Sequence, residues 1–419
     1  MIGRRAVALA AAATTLAAGA ATAQRVDTRR AATFVVGAPA GAAPMARVDG
    51  QRTARAADAL PSAPLRVVWK KMIAQGRGLD AAPLVTAGGE IVVATSGGEA
   101  VWVGADGAET NRLQLATAAP GEPASLSDGT LVVVGASAEA IGFRRDGVRF
   151  RTRLGGDRSL TGKVAPLPLA DGGVVVATST QLSLLDAEGA VRARAVASEP
   201  LVTALLAARG QVIAIGATGT VYGWQPGREL VRVGALGGEV DGGAALLGDH
   251  TLIAMVDAHL GSRVVSLNLD TAVTSVRATS PGGAYLGPPA LSGNLVYGLA
   301  AAAGRSYVIA LDDAGLERLR SPIPVNPSIP VALADGGAAA FVPPHAGVVV
   351  DASGAVAFAS PEGVIGVVDA TGALSTLQEA ALCGRPGKGM QVAGIAPAGP
   401  GAFVVACGSG LVARIASRD

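Results

Sequence analysis

The sequence predicts an all-β protein, a β-propeller built from four-stranded blades, and three observations support this. A four-strand unit first seen in residues 83–115 recurs at steps of 39 to 44 residues, a period typical of propeller blades. The second strand of each unit is almost wholly apolar, as expected for strands covered on both faces. Aspartate and glycine mark the turn between the third and fourth strands, where they favour tight turns.

The composition agrees with short strands joined by tight hairpins. Half of the 419 residues are hydrophobic but only 3% are aromatic, and there are 58 glycines and 24 prolines. Small and β-branched apolar residues between frequent turn formers suit strands better than long amphipathic helices.

The repeat can be followed along most of the chain. First strands are predicted to begin at Pro83, Pro123, Ala165, Ala204, Ala245, Pro289 and Pro330. Second strands are predicted to begin at Ile91, Leu131, Val174, Val212, Leu252 and Leu295. The turns between third and fourth strands are predicted at Asp106–Gly107, Asp146–Gly147, Asp186–Gly189, Asp312–Gly315, Asp351–Gly354 and Asp369–Gly372.

The stretch from residue 330 to residue 390 fits the repeat in two ways. Either residues 338–360 form a blade that ends with the turn at Asp351–Gly354, or residues 354–374 supply the blade. In the second alternative, the second strand begins at Ala355 and the third at Val364.

The last unit, which begins at Gln391, contains only three strands before the chain ends. The fourth strand is predicted to be Leu65–Met72, from the start of the regular pattern. Pairing of the first strand with the last would close the ring without an unpaired edge. With this closure the predicted number of blades is eight, and seven is the alternative.

Residues 1–23 are predicted to be a secretory signal peptide. Arg4 and Arg5 precede an apolar run, and Ala21-Thr22-Ala23 is a small-residue cleavage site. A transmembrane anchor is the alternative, but the run is short and contains threonine and glycine. Residues 24–63 are predicted to be a disordered Ala/Arg-rich linker and residues 64–419 the propeller. The mature protein is then exported without a transmembrane segment, to the periplasm, the outer membrane or the exterior.

The positive charge lies near the N-terminus. Residues 1–63 contain eight arginines and three aspartates, so the net charge of +2 leaves −3 for residues 64–419. The predicted propeller therefore carries no basic excess, and nucleic acid is not predicted as a partner.

The unit of residues 82–107, with its Ile91–Thr95 strand and its Val101–Gly107 strand and turn, resembles the repeat of the PQQ-like (quinoprotein dehydrogenase-like) β-propellers. The resemblance covers residues 65–416 and implies an eight-bladed fold. The family includes quinone-dependent dehydrogenases as well as non-enzymatic, BamB-like members. Its blades dock through a tryptophan, and only Trp69 of the three tryptophans lies at that position. The other blade contacts are therefore expected to be made mainly by Leu, Val and Ala.

The quinone-dependent members of that family bind their cofactor beside an adjacent cysteine pair and hold calcium with acidic and amide side chains. This chain has no adjacent cysteines and no such acid–amide set that can be transferred by position. The resemblance therefore implies the non-enzymatic, BamB-like type, with no cofactor. No histidine lies at metal-ligand spacing, so no metal site is predicted either.

Two local features are candidate site residues. Cys383 and Cys407 lie 24 residues apart in a chain predicted to be exported, which favours a disulfide over two separate thiols. The Gly-rich, basic loop that follows Cys383 is a candidate partner loop, with Arg385 and Lys388 as its charged residues.

The sequence favours an exported, non-catalytic propeller that binds a protein or another envelope component as a scaffold. The alternative is a quinone- or metal-dependent enzyme of the same superfamily. Such an enzyme would need acids, amides and an aromatic side chain converging on the central funnel, so the funnel discriminates between the two.

Overall fold

The computed structural model describes residues 41, 43–45, 47–74, 78–117, 121–155, 164–240, 243–258, 261–280, 283–303, 305–324, 347–360, 364–377, 382–383 and 392–418. Within these ranges the chain forms 32 strands, arranged in eight four-stranded antiparallel sheets. The sheets are the blades of a propeller, so the predicted fold class and the number of eight blades are confirmed.

The first four blades follow one another along the chain. Blade 1 contains β2 (Leu84–Val85), β3 (Ile91–Ala94), β4 (Glu99–Val103) and β5 (Glu109–Gln114). Blade 2 contains β6 (Ala124–Ser125), β7 (Leu131–Gly135), β8 (Glu139–Arg144) and β9 (Gly147–Arg153). Blade 3 contains β10 (Leu167–Pro168), β11 (Val174–Ala177), β12 (Gln181–Leu185) and β13 (Val191–Val196). Blade 4 contains β14 (Leu206–Ala208), β15 (Gln211–Ile215), β16 (Thr220–Trp224) and β17 (Val231–Ala235).

The other four blades complete the ring. Blade 5 contains β18 (Ala244–Leu247), β19 (Thr251–Ala258), β20 (Gly261–Asn268) and β21 (Thr274–Ser280). Blade 6 contains β22 (Gly283–Ser292), β23 (Leu295–Ala302), β24 (Arg305–Leu311) and β25 (Glu317–Pro322). Blade 7 contains β26 (Val348–Val350), β27 (Val356–Ala359), β28 (Ile365–Val368) and β29 (Leu374–Thr376). Blade 8 combines β30 (Val392–Pro397), β31 (Ala402–Cys407) and β32 (Leu411–Ser417) with β1 (Leu65–Met72).

The closure of blade 8 by the first strand of the chain is confirmed. β1 lies at the outer edge of the blade and pairs antiparallel with β32, from Leu65 opposite Ser417 to Met72 opposite Leu411. This pairing covers the edge that β32 would otherwise leave unpaired, and it joins the two ends of the described chain without a covalent bond.

Blade 7 resolves the ambiguous stretch in favour of the second alternative, because β27 and β28 begin close to Ala355 and Val364. The prediction that Asp351–Gly354 joins a third strand to a fourth is wrong, since this turn joins β26 to β27. The Asp351 carboxylate accepts hydrogen bonds from the amides of Ser353 and Ala355. Any tight hairpin uses this chemistry, so the motif does not identify its place in a blade. The predicted strand start at Pro330 lies outside the described residues.

The first strand of each blade lies nearest to the axis. First strands of neighbouring blades contact one another, as β2 and β30 or β18 and β22 do, whereas fourth strands such as β5 alternate between exposed and half-buried positions. The second strands are buried along almost their whole length, because adjacent blades cover both of their faces. The turns between the first and second strands of each blade (the 1–2 turns) and between the third and fourth strands (the 3–4 turns) form one face of the ring, here called the turn face. The 2–3 turns and the links between blades form the other, here called the connection face.

Neighbouring blades interlock where a fourth-strand side chain packs on the 3–4 turn of the next blade. The Trp69 indole N–H donates to the Ala105 carbonyl (2.8 Å), and a Cβ added to Gly107 would lie 2.7 Å from the indole ring. Phe150 packs in the same way on Gly189 of blade 3. Trp69 therefore occupies the docking position that the resemblance implied, and a phenylalanine takes the equivalent role in blade 2.

Candidate functional site

The axial channel is filled by the chain's own N-terminal residues. We call residues 43–60 the axial segment; residue 46 is outside the described residues. The described part of this segment lies against the first strands of the blades. Seven of its side chains are buried, with exposed fractions below a tenth: Ala43, Pro44, Met45, Arg52, Ala54, Ala56 and Leu60. From there the chain passes blade 8 and enters β1.

Backbone hydrogen bonds join this segment to seven of the eight blades. Its carbonyl groups accept hydrogen bonds from Val85, Ser125, Ala207, Leu246, Leu291 and Val350 on the first strands, and from Gly401 in a turn of blade 8, at 2.8 to 3.0 Å. The inner edges of the first strands would otherwise present unpaired N–H groups to the channel. The axial segment satisfies them one residue at a time.

Two arginines extend the contacts. The Arg52 guanidinium donates from Nε to the Leu205 carbonyl (2.8 Å) and from Nη2 to the Pro166 carbonyl (2.9 Å), and this second bond reaches blade 3. The Arg47 guanidinium donates to the carbonyls of Val348 (3.0 Å) and Pro289 (2.6 Å). Carbonyl groups at the start of the first strands thus act as the acceptors for both cations.

Both guanidinium groups remain charged at neutral pH. Burial lowers the pKa of Arg47 and of Arg52 to about 10, and the charges of Glu122 and Asp49 partly oppose that shift. Glu122 is itself buried and precedes the first strand of blade 2, so the channel contains opposite charges close together.

Where the axial segment meets blades 1, 2 and 8, the free space beside it is too small for a substrate. The cavity between Met45, Arg47, Leu84, Glu122 and Ile395 has a volume of about 10 Å³, which is close to the minimum for a single water molecule. The central funnel, the discriminating feature between the two functional hypotheses, is therefore occupied by protein in the described part of the chain.

This arrangement differs from the disordered linker predicted for residues 24–63, in the part that the structure describes. Residues 24–40 lie outside the described residues, and the linker stays a prediction there. The axial segment has no alternating or helical pattern because seven of its carbonyl groups, unevenly spaced along the chain, accept hydrogen bonds from seven different blades. Its binding depends on backbone carbonyls, which leave no signal in a sequence.

A larger cleft lies on the turn face between blades 1 and 2, with a volume of about 490 Å³. This turn-face cleft lies between the 1–2 turns of both blades and the 3–4 turn of blade 2, and it is lined by Trp102, Ser125 and three arginines, Arg144, Arg145 and Arg149. The volume is within the range of ligand-binding clefts. No sequence pattern indicates this cleft, because its walls come from turns about 40 residues apart.

Ion pairs surround the cleft. Arg145 of blade 2 pairs with Glu90 of blade 1 at 3.2 Å, and Arg149 pairs with Asp146 at 2.8 Å. Asp128 pairs with Arg144. The cleft therefore offers both signs of charge, with hydroxyl groups between them, which suits a polar or charged polypeptide segment better than an apolar molecule.

The Asp128–Arg144 pair gives a pH-dependent prediction. Burial would raise the pKa of Asp128, but hydrogen bonds from Thr130 and the charge of Arg144 outweigh it, so the pKa lies below its ordinary value. A lowered folded-state pKa stabilises the fold above the unfolded pKa of about 3.9, and this contribution disappears as the pH falls through the folded pKa. We expect D128N to lose stability at pH 6, with the difference from wild type shrinking below pH 4. Urea unfolding across this pH range measures it, with D146N on the same rim as the exposed control.

A further polar cluster lies on the turn face between blades 4 and 5. The Asp270 carboxylate contacts His250 Nδ1 at 2.8 Å and also pairs with Arg209. The histidine side chain is well exposed. Since Asp270 is shared with an arginine, this pair is interpreted as an inter-blade surface contact.

The predicted disulfide is present between Cys383 and Cys407, whose Cα atoms are 5.0 Å apart. Cys407 ends β31, and Cys383 lies in the link between blades 7 and 8, so the bond fastens this link to the last blade. The candidate partner-loop residues Arg385 and Lys388 lie outside the described residues, and their role stays a prediction.

We expect loss of this disulfide to destabilise the protein by about 3 kcal/mol, because the bond closes a loop of roughly 25 residues. The Cys383→Ala/Cys407→Ala double variant removes the bond without leaving a free thiol. Urea unfolding of this variant and of the wild type, each with and without reductant, measures the effect. Wild type should lose stability on reduction and the double variant should not; a variant as stable as oxidised wild type would contradict the prediction.

Two observations concern the described residues only. They contain no helix long and apolar enough to cross a membrane. Among them, no three histidine, cysteine, aspartate or glutamate side chains lie close enough together to share a metal ion.

Comparison with known proteins supports the fold. No protein-family model and no curated protein matches the sequence. Among solved structures, the chain is similar to BamB from Moraxella catarrhalis, with a TM-score of 0.57, 16% identity, and coverage of 85% of this chain and 98% of that one. It is also similar to the computationally designed Ika8 protein, with a TM-score of 0.57, 13% identity, and coverage of 83% and 100%. These likenesses confirm the resemblance to the BamB-like propeller at the level of the fold.

Proposed function

We propose that this protein is an exported, non-catalytic propeller scaffold that binds a protein or another component of the cell envelope. The observation that carries the proposal is the filled channel. The enzyme alternative requires a substrate-sized funnel, but the axial segment occupies that space with its backbone and with Arg47 and Arg52. While this segment is in place, partner binding is directed to the outer surfaces of the ring.

The turn-face cleft is the binding surface that the described residues favour. It combines a volume of about 490 Å³ with the exposed side chains of Arg145 and Arg149, and arginine is enriched at the centres of protein interfaces. Its rim residues Ala87 and Asp146 are exposed. A charged, extended segment of a partner protein fits this chemistry.

Two features support export. Residues 1–23 have the sequence pattern of a signal peptide, and the Cys383–Cys407 disulfide is typical of proteins that fold in oxidising compartments. Both favour an envelope component as the partner.

Site-specific photocrosslinking in the native envelope tests the proposal. A photoreactive residue at Ala87 or Asp146, on the rim of the turn-face cleft, should give an adduct of defined mass. The same residue at Glu229, an exposed position on the turn face of blade 4, is the matched control and should give none. Equal labelling at all three positions, or none at the cleft, would contradict the assignment of the surface.

The enzyme alternative has its own test. The purified full-length protein is assayed for bound quinone by absorbance, for calcium by mass spectrometry, and for reduction of an artificial electron acceptor. Turnover that depends on the added quinone would refute a purely scaffolding role, whatever the crosslinking result.

A fourth crosslinking position, at Lys388, tests whether the predicted partner loop contributes to binding.

A further inference from the structure

The axial segment contacts the channel as a peptide ligand contacts a groove. Each blade offers the free inner edge of its first strand, and the segment supplies a carbonyl group to six of these edges in turn. Peptides that add to exposed strand edges bind by the same backbone hydrogen bonds, and side-chain contacts give the specificity. Here the two arginines provide those side-chain contacts.

The conformation of the segment is set by its contacts with the channel together with hydrogen bonds inside the segment, such as that from the Ala54 N–H to the Arg47 carbonyl. Four of its non-glycine residues have positive φ angles: Arg47 (56°), Val48 (78°), Arg52 (59°) and Ala54 (52°). L-residues rarely adopt this conformation, and it persists where the surrounding structure determines it. For the β-branched Val48 it is especially unfavourable. The contacts with the first strands therefore help to hold the segment in this conformation.

The two arginines make the site selective. Arg47 reaches carbonyl groups of blades 6 and 7, and Arg52 reaches carbonyl groups of blades 3 and 4. They are five residues apart and point to different sectors of the ring. A planar guanidinium can donate to two carbonyl groups at once, whereas the ammonium group of lysine cannot reproduce that fork.

The axial segment is separable from the strand that closes the ring. Residues 62–64 between the two are exposed, and β1 has its own pairing with β32 from Leu65 to Met72. A break in the chain at residues 62–64 would leave the ring closed and would release only the covalent tether of the axial segment.

From these contacts we propose that the axial channel is a peptide-binding site that this chain fills with its own residues 43–60. The site binds in trans a peptide that carries two arginines five residues apart and adopts the turned conformation of this segment. It is distinct from the turn-face cleft, since it lies on the axis and uses the first strands, and its test does not depend on the scaffold function.

The experiment uses the full chain with a protease recognition sequence inserted between Ser62 and Ala63. After folding, the chain is cut at this site, and a fluorescent peptide with the sequence of residues 41–61 is added. Anisotropy and native mass spectrometry then measure exchange. The uncut protein, whose site is occupied by the tethered segment, is the first control. Peptides with Arg52→Ala or with the exposed Arg55→Ala form the matched pair.

The cut protein should retain the segment and exchange it for one labelled peptide per ring, while the uncut protein binds much less. The Arg55→Ala peptide should bind like wild type. The Arg52→Ala peptide should bind about a hundredfold more weakly, because it lacks two hydrogen bonds from a charged donor. The proposal is overturned if the cut segment never exchanges, if it leaves and the ring binds no peptide, or if both variant peptides bind equally.

Discussion

Replacement of Arg52 by alanine is expected to lower the free energy of unfolding by about 3–5 kcal/mol, the usual range for removing one partner of a buried charge pair. Arg52 is fully buried. The variant loses the hydrogen bonds to Leu205 and Pro166 and leaves the buried Glu122 with less opposing charge. It also leaves an empty volume on the axis, which adds to the loss.

Urea unfolding followed by circular dichroism measures this effect, and Arg55→Ala is the control. Arg55 belongs to the same segment but is exposed, so its removal should change stability by less than about 0.5 kcal/mol. Arg52→Lys keeps the charge but not the planar guanidinium that donates to two carbonyl groups, so an intermediate loss of stability is expected. If the two alanine variants were equally stable, the axial segment would not be part of the folded core.

The periodic parts of the fold were predictable from the sequence. The second strands that begin at Ile91, Leu131 and Val174 were placed within a residue of their ends, because burial on both faces selects a continuous apolar run. The closing strand Leu65–Met72 was found because the last unit lacked a partner. These features repeat, and each copy supports the others.

Blade 7 shows where the pattern fails. Its first turn at Asp351–Gly354 has the same sequence form as the third turn at Asp369–Gly372. Both carboxylates accept hydrogen bonds from the amides two and four residues later. A local motif that stabilises any hairpin cannot indicate which hairpin of the blade it closes.

The candidate sites were the least predictable part. Arg47 and Arg52 stand in a stretch of small residues, and nothing local indicates that their partners are carbonyl groups more than a hundred residues away. The turn-face cleft likewise brings Glu90 to Arg145 across two blades. Among the described residues, the Cys383–Cys407 pair could be predicted from the sequence, because a disulfide needs two rare residues and an oxidising compartment.

Replacement of Gly107 by alanine is expected to cost about 2–5 kcal/mol, from two separate causes. Its φ of +84° is unfavourable for any residue with a Cβ, by about 1–2 kcal/mol. The added methyl group would also lie 2.7 Å from the ring of Trp69, and overpacking of this kind costs about 1–3 kcal/mol more. The indole cannot easily yield, because its N–H is bonded to the Ala105 carbonyl.

Gly227 separates the two causes. It occupies the 3–4 turn of blade 4 with the same φ of +84°, but a Cβ there would meet nothing within 4 Å. Gly227→Ala should therefore show only the conformational cost of about 1–2 kcal/mol. Trp69→Ala alone should cost about 2–4 kcal/mol, because the indole is half-buried and lies in the strand that closes the ring.

The double variant Trp69→Ala/Gly107→Ala completes the cycle. In the absence of the indole, the additional cost of Gly107→Ala should fall to that of Gly227→Ala, and this difference is the interaction energy between the two positions. Urea unfolding of the four proteins and of Gly227→Ala measures each term. Equal costs of Gly107→Ala with and without Trp69 would mean that the indole does not dock on blade 1, and that strand pairing between β1 and β32 closes the ring alone.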